Sequence, residues 1–160
     1  MRQRKASTKR DLDSAFPLIR PNAAAMDIGS REHVVAVPEE RSTPSVRSFG
    51  CTTSELREMT AWLKSCEVDT VAMEATGVYW LPLYSVLEDA GLAVFMVNGR
   101  QTRNLPGRKT DMKDCQWGAT LHAHGLLRAG LVPPAQSRRL QDSIRLRGAH
   151  IKSAASHVQH

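Results

Sequence analysis

The sequence predicts an α/β domain: a mixed β-sheet flanked by helices, with a helical extension at the C-terminal end. Three observations predict it. Three short strand-like runs follow one another early in the chain, at AAAMDIG (23–29), HVVAVPEE (33–40) and VRSFG (46–50). Beyond them, helix-period segments alternate with continuous apolar runs, the order that parallel crossovers in a sheet require. Residues 136–160 then place Leu140, Ile144, Arg147 and Ile151 at helical spacing with little apolar surface, a helix without a partner of its own.

Each element has a local reason. Residues 1–21 are polar, basic and without periodicity, and are expected to form a flexible tail. The first apolar run closes on Asp-Ile-Gly, and the second is stopped by Pro38, Glu39 and Glu40. With VRSFG they predict a three-stranded meander. The stretch TTSELREMTAWLKSCEV (52–68) opens with Thr52 and Glu55 at capping-box spacing and puts Leu56, Met59, Leu63 and Cys66 on one stripe, an amphipathic helix. VDTVAME (68–74) reads as a buried strand. VYWLPLYSVLEDAGL (78–92) reads as a helix that tolerates Pro82 in its first turn and ends at Gly91. LAVFMVN (92–98) is another buried strand, followed by a loop over 99–110 and a helix starting near Asp111. The folded domain is therefore expected over 22–130, with 131–160 the start of a helical, coiled-coil-like region.

Composition narrows the partners. The 160 residues hold 22 Lys plus Arg against 16 Asp plus Glu, a net charge of +6, and the pI is near 9.7. The charge is uneven: residues 1–21 carry six basic and two acidic residues (+4), 22–97 five and eleven (−6), and 98–160 eleven and three (+8). A basic flank suits a nucleic-acid backbone. Cys51, Cys66 and Cys115 form no CxxC pair and are odd in number, which argues against a disulfide framework or a zinc knuckle. No apolar run nears the ~20 residues a bilayer needs, and no signal-peptide core follows the basic start. A soluble cytoplasmic chain is the expectation.

Four acids stand where ligands gather in such sheets. Asp27 ends the first strand in MDIGS and Glu74 ends the fourth in MEATG, each just ahead of a glycine that lets the backbone turn and leaves the side chain exposed. If these strands are parallel neighbours, the two carboxylates lie side by side. Asp111 and Asp114, three apart, share a helix face. Gathered together, the four would suit two hard divalent cations about 3.5 to 4 Å apart, which hold both oxygens of an in-line phosphoryl displacement. Four carboxylates would also neutralise two such ions, and without metal they would repel one another. Arg100, Arg103, Arg108, Lys109 and Lys113 around them, and Arg138, Arg139, Arg145 and Arg147 further on, would grip a phosphate backbone without reading sequence. Singly the acids have plainer readings: Asp27 as a turn aspartate, Asp111 and Asp114 as helix-start acids. Glu74 is harder to explain that way, since a carboxylate ending an apolar strand is costly unless solvated, paired or bound.

MDIGSREHVVAV, then VAMEATGVYWLPLYSVLEDAGLAVFMVN, then GRKTDMKDCQWGATLHAHGLL resemble, in order and spacing, the amino-terminal domain of the DEDD-type insertion-sequence transposases, the IS-one-ten and Piv invertase group. The resemblance spans roughly residues 23 to 150, and EATGVYW and KTDxxD recur as a set in that family. It implies a ribonuclease-H-like fold similar to Holliday-junction resolvases, with the acidic set on Asp27, Glu74, Asp111 and Asp114. It further implies Mg²⁺ or Mn²⁺, two ions, as cofactor, and DNA strand cleavage and exchange at the ends of an insertion sequence. A structured guide RNA and a homo-oligomer are implied as partners. Members continue into a second domain holding a serine nucleophile, whereas this sequence stops at His160, so an incomplete enzyme is expected. Cys115 stands where the family usually has alanine, and the amino-terminal tail is longer than usual.

Two other classes compete on residues alone. An actin or sugar-kinase-type phosphotransferase also carries an Asp-x-Gly-Ser turn in its first hairpin, but needs a second phosphate hairpin and a further Gly-rich segment. A non-catalytic nucleic-acid-binding module predicts that the four acids affect stability alone. His122 and His124, two apart, point to different helix faces and make a poor metal pair, so a packed or solvated role is expected. Trp62 and Tyr84 suit core packing, whereas Tyr79 and Trp80 are close enough to Glu74 to line a site. Ser30 and Thr76 with Gly77 belong to the turns beside the acids.

Overall fold

A five-stranded sheet in the order β3-β2-β1-β4-β5 organises the domain. Its strands are β1 (Ala23–Ile28), β2 (Glu32–Ala36), β3 (Val46–Gly50), β4 (Thr70–Glu74) and β5 (Ala93–Val97), and its helices α1 (Lys9–Ala15), α2 (Thr53–Ser65), α3 (Trp80–Asp89) and α4 (Asp111–Ala123). The computed structural model describes residues 9–74, 79–98 and 111–130, the side chain of Asp111 excepted. The expected loop over 99–110 and the expected helix over 136–160 lie outside the described residues. The chain divides into two compact units, residues 1–130 and 131–160.

β1, β2 and β3 pair antiparallel, as the meander expectation required, while β1 with β4 and β4 with β5 are parallel. A mixed sheet of this order, antiparallel in its first three strands and parallel beyond, is the ribonuclease-H-like arrangement. Strand alternation assigns the two faces. Ala25, Val34, Ala36, Val46, Ala72 and Val97 pack with Cys115 and Ala119 of α4 on one side. On the other, Phe49 stacks on Trp62 of α2 at 5.5 Å between ring centres, and Met26, Val35, Val71 and Met73 are buried.

α2 forms for the reasons visible in its sequence. Thr52 accepts from the Glu55 amide while the Glu55 carboxylate accepts from the Thr52 amide, a complete capping box. Leu56, Met59, Leu63 and Cys66 are all buried. α3 ends at Ala90, and Gly91 takes a φ of 81°, a left-handed turn that releases the chain into β5.

α4 runs antiparallel to β1, across the sheet's other face. Near its middle, Gly118 lies against Ala25: a Cβ on Gly118 would stand 3.3 Å from the Ala25 Cβ. Near its end, His122 Nε2 hydrogen-bonds Thr70 Oγ1 at 3.0 Å, and Thr70 pairs with Ala23 at the start of β1. The amino-terminal end of α4 therefore lies toward the carboxyl ends of β1 and β4.

One expectation is corrected. Residues 9–21, read from polarity as flexible tail, include α1, whose Leu12 is buried. The Ile19 and Arg20 amides donate to the Ala123 carbonyl at the carboxyl end of α4, satisfying an acceptor the helix itself leaves open. His124 binds Asp13 at 3.0 Å and the Pro17 carbonyl at 3.1 Å. Polarity hid this docking because it rests on buried Leu12 and on partners supplied more than 100 positions later, the Ala123 carbonyl and the His124 ring.

Candidate metal centre

The parallel register of β1 and β4 pairs Ala25 with Ala72 and Met26 with Met73. The next residue along each strand is Asp27 and Glu74; by alternation both belong to the sheet face that α4 covers, and both are half-buried. Gly29 makes the turn after Asp27 possible. Its amide donates to the Glu32 carbonyl at 3.0 Å, and a Cβ on it would collide with that same carbonyl oxygen. Only glycine lets the β1–β2 hairpin close so soon after the acid.

Cys115 links β1 to the helix that carries the other two acids. It is buried, and its Sγ donates to the Ala25 carbonyl at 3.2 Å or the Val34 carbonyl at 3.3 Å. Burial pushes the thiol up to about 12, hydrogen bonds from the Asp27 and Ala36 backbone oppose that, and the carboxylates of Asp27 and Asp114 push it further up. The two carboxylates thus both act on one buried sulfur. The thiol stays protonated and neutral, a spacer between β1 and α4 that adds no charge to the acidic end. Sequence reading noted only that Cys115 stands where the family usually has alanine; its place directly after Asp114 was the available signal.

Asp114 is exposed in the first turn of α4, as is Lys113. Asp111 is the first residue of α4, and its side chain lies outside the described residues. Among the described residues, no three His, Cys, Asp or Glu side chains stand together closely enough to hold a metal ion. In kind the acidic set fits a hard cation, since every candidate donor is a carboxylate oxygen. Arg100, Arg103, Arg108, Lys109, Arg138, Arg139, Arg145 and Arg147 lie outside the described residues, as do Thr76 and Gly77. Tyr79 is exposed next to the start of α3, and Trp80 packs edge-on against Tyr84. Both histidines of the HAH triplet are buried and packed.

The family model described as Transposase, for the DEDD transposases of the IS110 type, matches residues 24–160. The chain belongs to that family. No curated protein matches the chain in sequence. Among solved structures, "T. thermophilus RuvC in complex with Holliday junction substrate" aligns with 12% identity and a TM-score of 0.47, over 68% of this chain and 98% of that one. Membership in the DEDD transposases sets aside the phosphotransferase alternative. Among the described residues of this transposase chain, no helix is long and apolar enough to cross a membrane.

Proposed function

We propose that this DEDD transposase domain cleaves and exchanges DNA strands at a divalent-metal centre made by Asp27, Glu74, Asp111 and Asp114. The observation that supports the reading is the parallel β1–β4 pairing up to Met26 and Met73, the residues immediately before Asp27 and Glu74. Asp111 and Asp114 open the helix laid over that face. When bound, two Mg²⁺ or Mn²⁺ ions would act as a Lewis-acid clamp on the attacking and leaving oxygens of a phosphodiester. The chain's own work is positional. Parallel pairing fixes two carboxylates, and the packing of Gly118 and Cys115 on β1 sets the height of the helix that brings the others. Lys113, Arg108 and Lys109 would hold the DNA backbone, with Arg100, Arg103, Arg138, Arg139, Arg145 and Arg147 extending the track. A structured guide RNA and a second copy of the chain belong to the same reading, because strand exchange joins two DNA sites and base pairing can choose them.

Calorimetric titration with Mn²⁺ in the presence of branched DNA tests it. The native chain is expected to bind metal, and an Asp27→Asn, Glu74→Gln double variant to lose that binding along with any cleavage of the DNA. Equal metal binding by both chains, or none by the native chain, overturns the proposal.

A further inference from the structure

Where the amino-terminal segment docks, it leaves a cavity of about 300 Å³ between three parts of the domain. Leu18 and Pro21 of the segment, Val37 and Pro38 after β2, and Trp117 and Ala119 of α4 line it. The volume is at the small end of the roughly 300 to 1,000 Å³ that ligand sites span. Leu18 is 57% exposed, apolar surface that docking leaves uncovered. The indole of Trp117 has one polar atom, Nε1, and that atom is buried without a hydrogen-bond partner. What the ring shows to the cavity is therefore carbon, an aromatic surface whose face attracts cations.

The charges around the cavity point the same way. Lys9 pairs with Glu39 at 2.9 Å and His124 with Asp13 at 3.0 Å, and Lys113 is engaged as well. Glu40 is exposed in the same wall and acts on Lys9 through its charge alone. The Glu39 hydrogen bond first, and then the charges of Glu39, Glu40 and Asp13, raise the pKa of Lys9 against its partial burial. Three carboxylates thus make this side of the cavity negative, a field that repels phosphates and draws cations.

We infer that this cavity binds a small amphipathic amine, an aromatic or branched aliphatic body carrying one ammonium group. The body lies against Leu18, Pro21, Val37 and the Trp117 ring. The ammonium faces Glu40, the carboxylate left over once Lys9 and His124 have taken Glu39 and Asp13. One wall belongs to the amino-terminal segment and another to α4, so the site exists only while the segment is docked.

Titration of the isotope-labelled full chain with phenethylamine, followed by NMR on its three indole N–H signals, tests this. Trp117→Phe assigns the signal expected to move, while Trp62 and Trp80, on α2 and α3, are expected to stay in place. Phenethyl alcohol, the same body without the charge, should bind about tenfold more weakly, and phenylpropionate should not bind. Glu40→Gln, a change at an exposed side chain, should weaken the amine about threefold at low salt and leave the alcohol unchanged. Thr120→Phe, which puts a ring into the cavity from α4, should abolish binding of both. Equal affinity for amine and alcohol, amine binding unaltered by Glu40→Gln, a Trp117 signal that does not move, or equal movement of all three signals overturns the inference.

Discussion

Lowering the pH from 7 to 5 is expected to weaken the fold through His122. The ring has no exposed surface, shares its Nε2 with Thr70, and lies 4.8 Å from the Phe95 ring. Burial first, and the Arg20 guanidinium second, lower its pKa from the ordinary 6.5 to about 4, against a weaker pull from Asp69. The unfolded chain takes up this proton below 6.5, while the folded chain resists until about 4. The stabilisation is therefore complete above the unfolded value and is lost as the pH falls toward the folded one. Each pH unit in that window removes about 1.4 kcal/mol. Down to pH 5 the loss is about 1 to 2 kcal/mol, after allowance for solvent screening around Arg20. In urea the midpoint should move by roughly 0.5 to 1 M. Other groups also respond to pH, so the comparison is with His122→Gln, whose amide reaches the Thr70 hydroxyl but carries no proton equilibrium. A decline of the midpoint equal in the two chains would refute the assignment.

Two substitutions probe the packing of α4. Gly118→Ala should be near neutral, because the helix gain of about 1 kcal/mol offsets a close but tolerable contact with Ala25. Gly118→Val should cost about 1 to 3 kcal/mol as its methyls press into β1, read as a lower unfolding midpoint and weaker Mn²⁺ binding; an unshifted midpoint would contradict the close approach. His124→Ala removes the partner of Asp13 and of the Pro17 carbonyl, and trypsin should then cut after Lys9 and Arg10 several-fold faster at unchanged protein concentration. Unchanged cutting would show that α1 is held by other contacts.

The strands and α2 were legible because their signals are local. The run ending at Asp27, the Thr52 and Glu55 cap and the Leu56, Met59, Leu63, Cys66 stripe each fit within one element. The parallel pairing of β1 with β4 was legible only as a condition, since nothing within either strand states which neighbour it takes. What stayed hidden depended on partners far away in sequence. Asp13 and His124 meet across 111 positions, and Cys115 meets Ala25 across 90. The polarity of residues 9–21 pointed the wrong way for the same reason. The imidazole of His33 beside the Cys51 thiol was missed because β2 and β3 must pair before the two residues meet.

α4 has 13 residues, a rod about 20 Å long at 1.5 Å per residue, and its two ends do unlike jobs. At the carboxyl end, Ala123 and His124 receive the amino-terminal segment; at the other, Asp111 and Asp114 begin the helix. Between those ends the rod is held to the sheet at three places, Cys115, Gly118 and His122, so one rigid element carries both the docked tail and the start of the acidic helix.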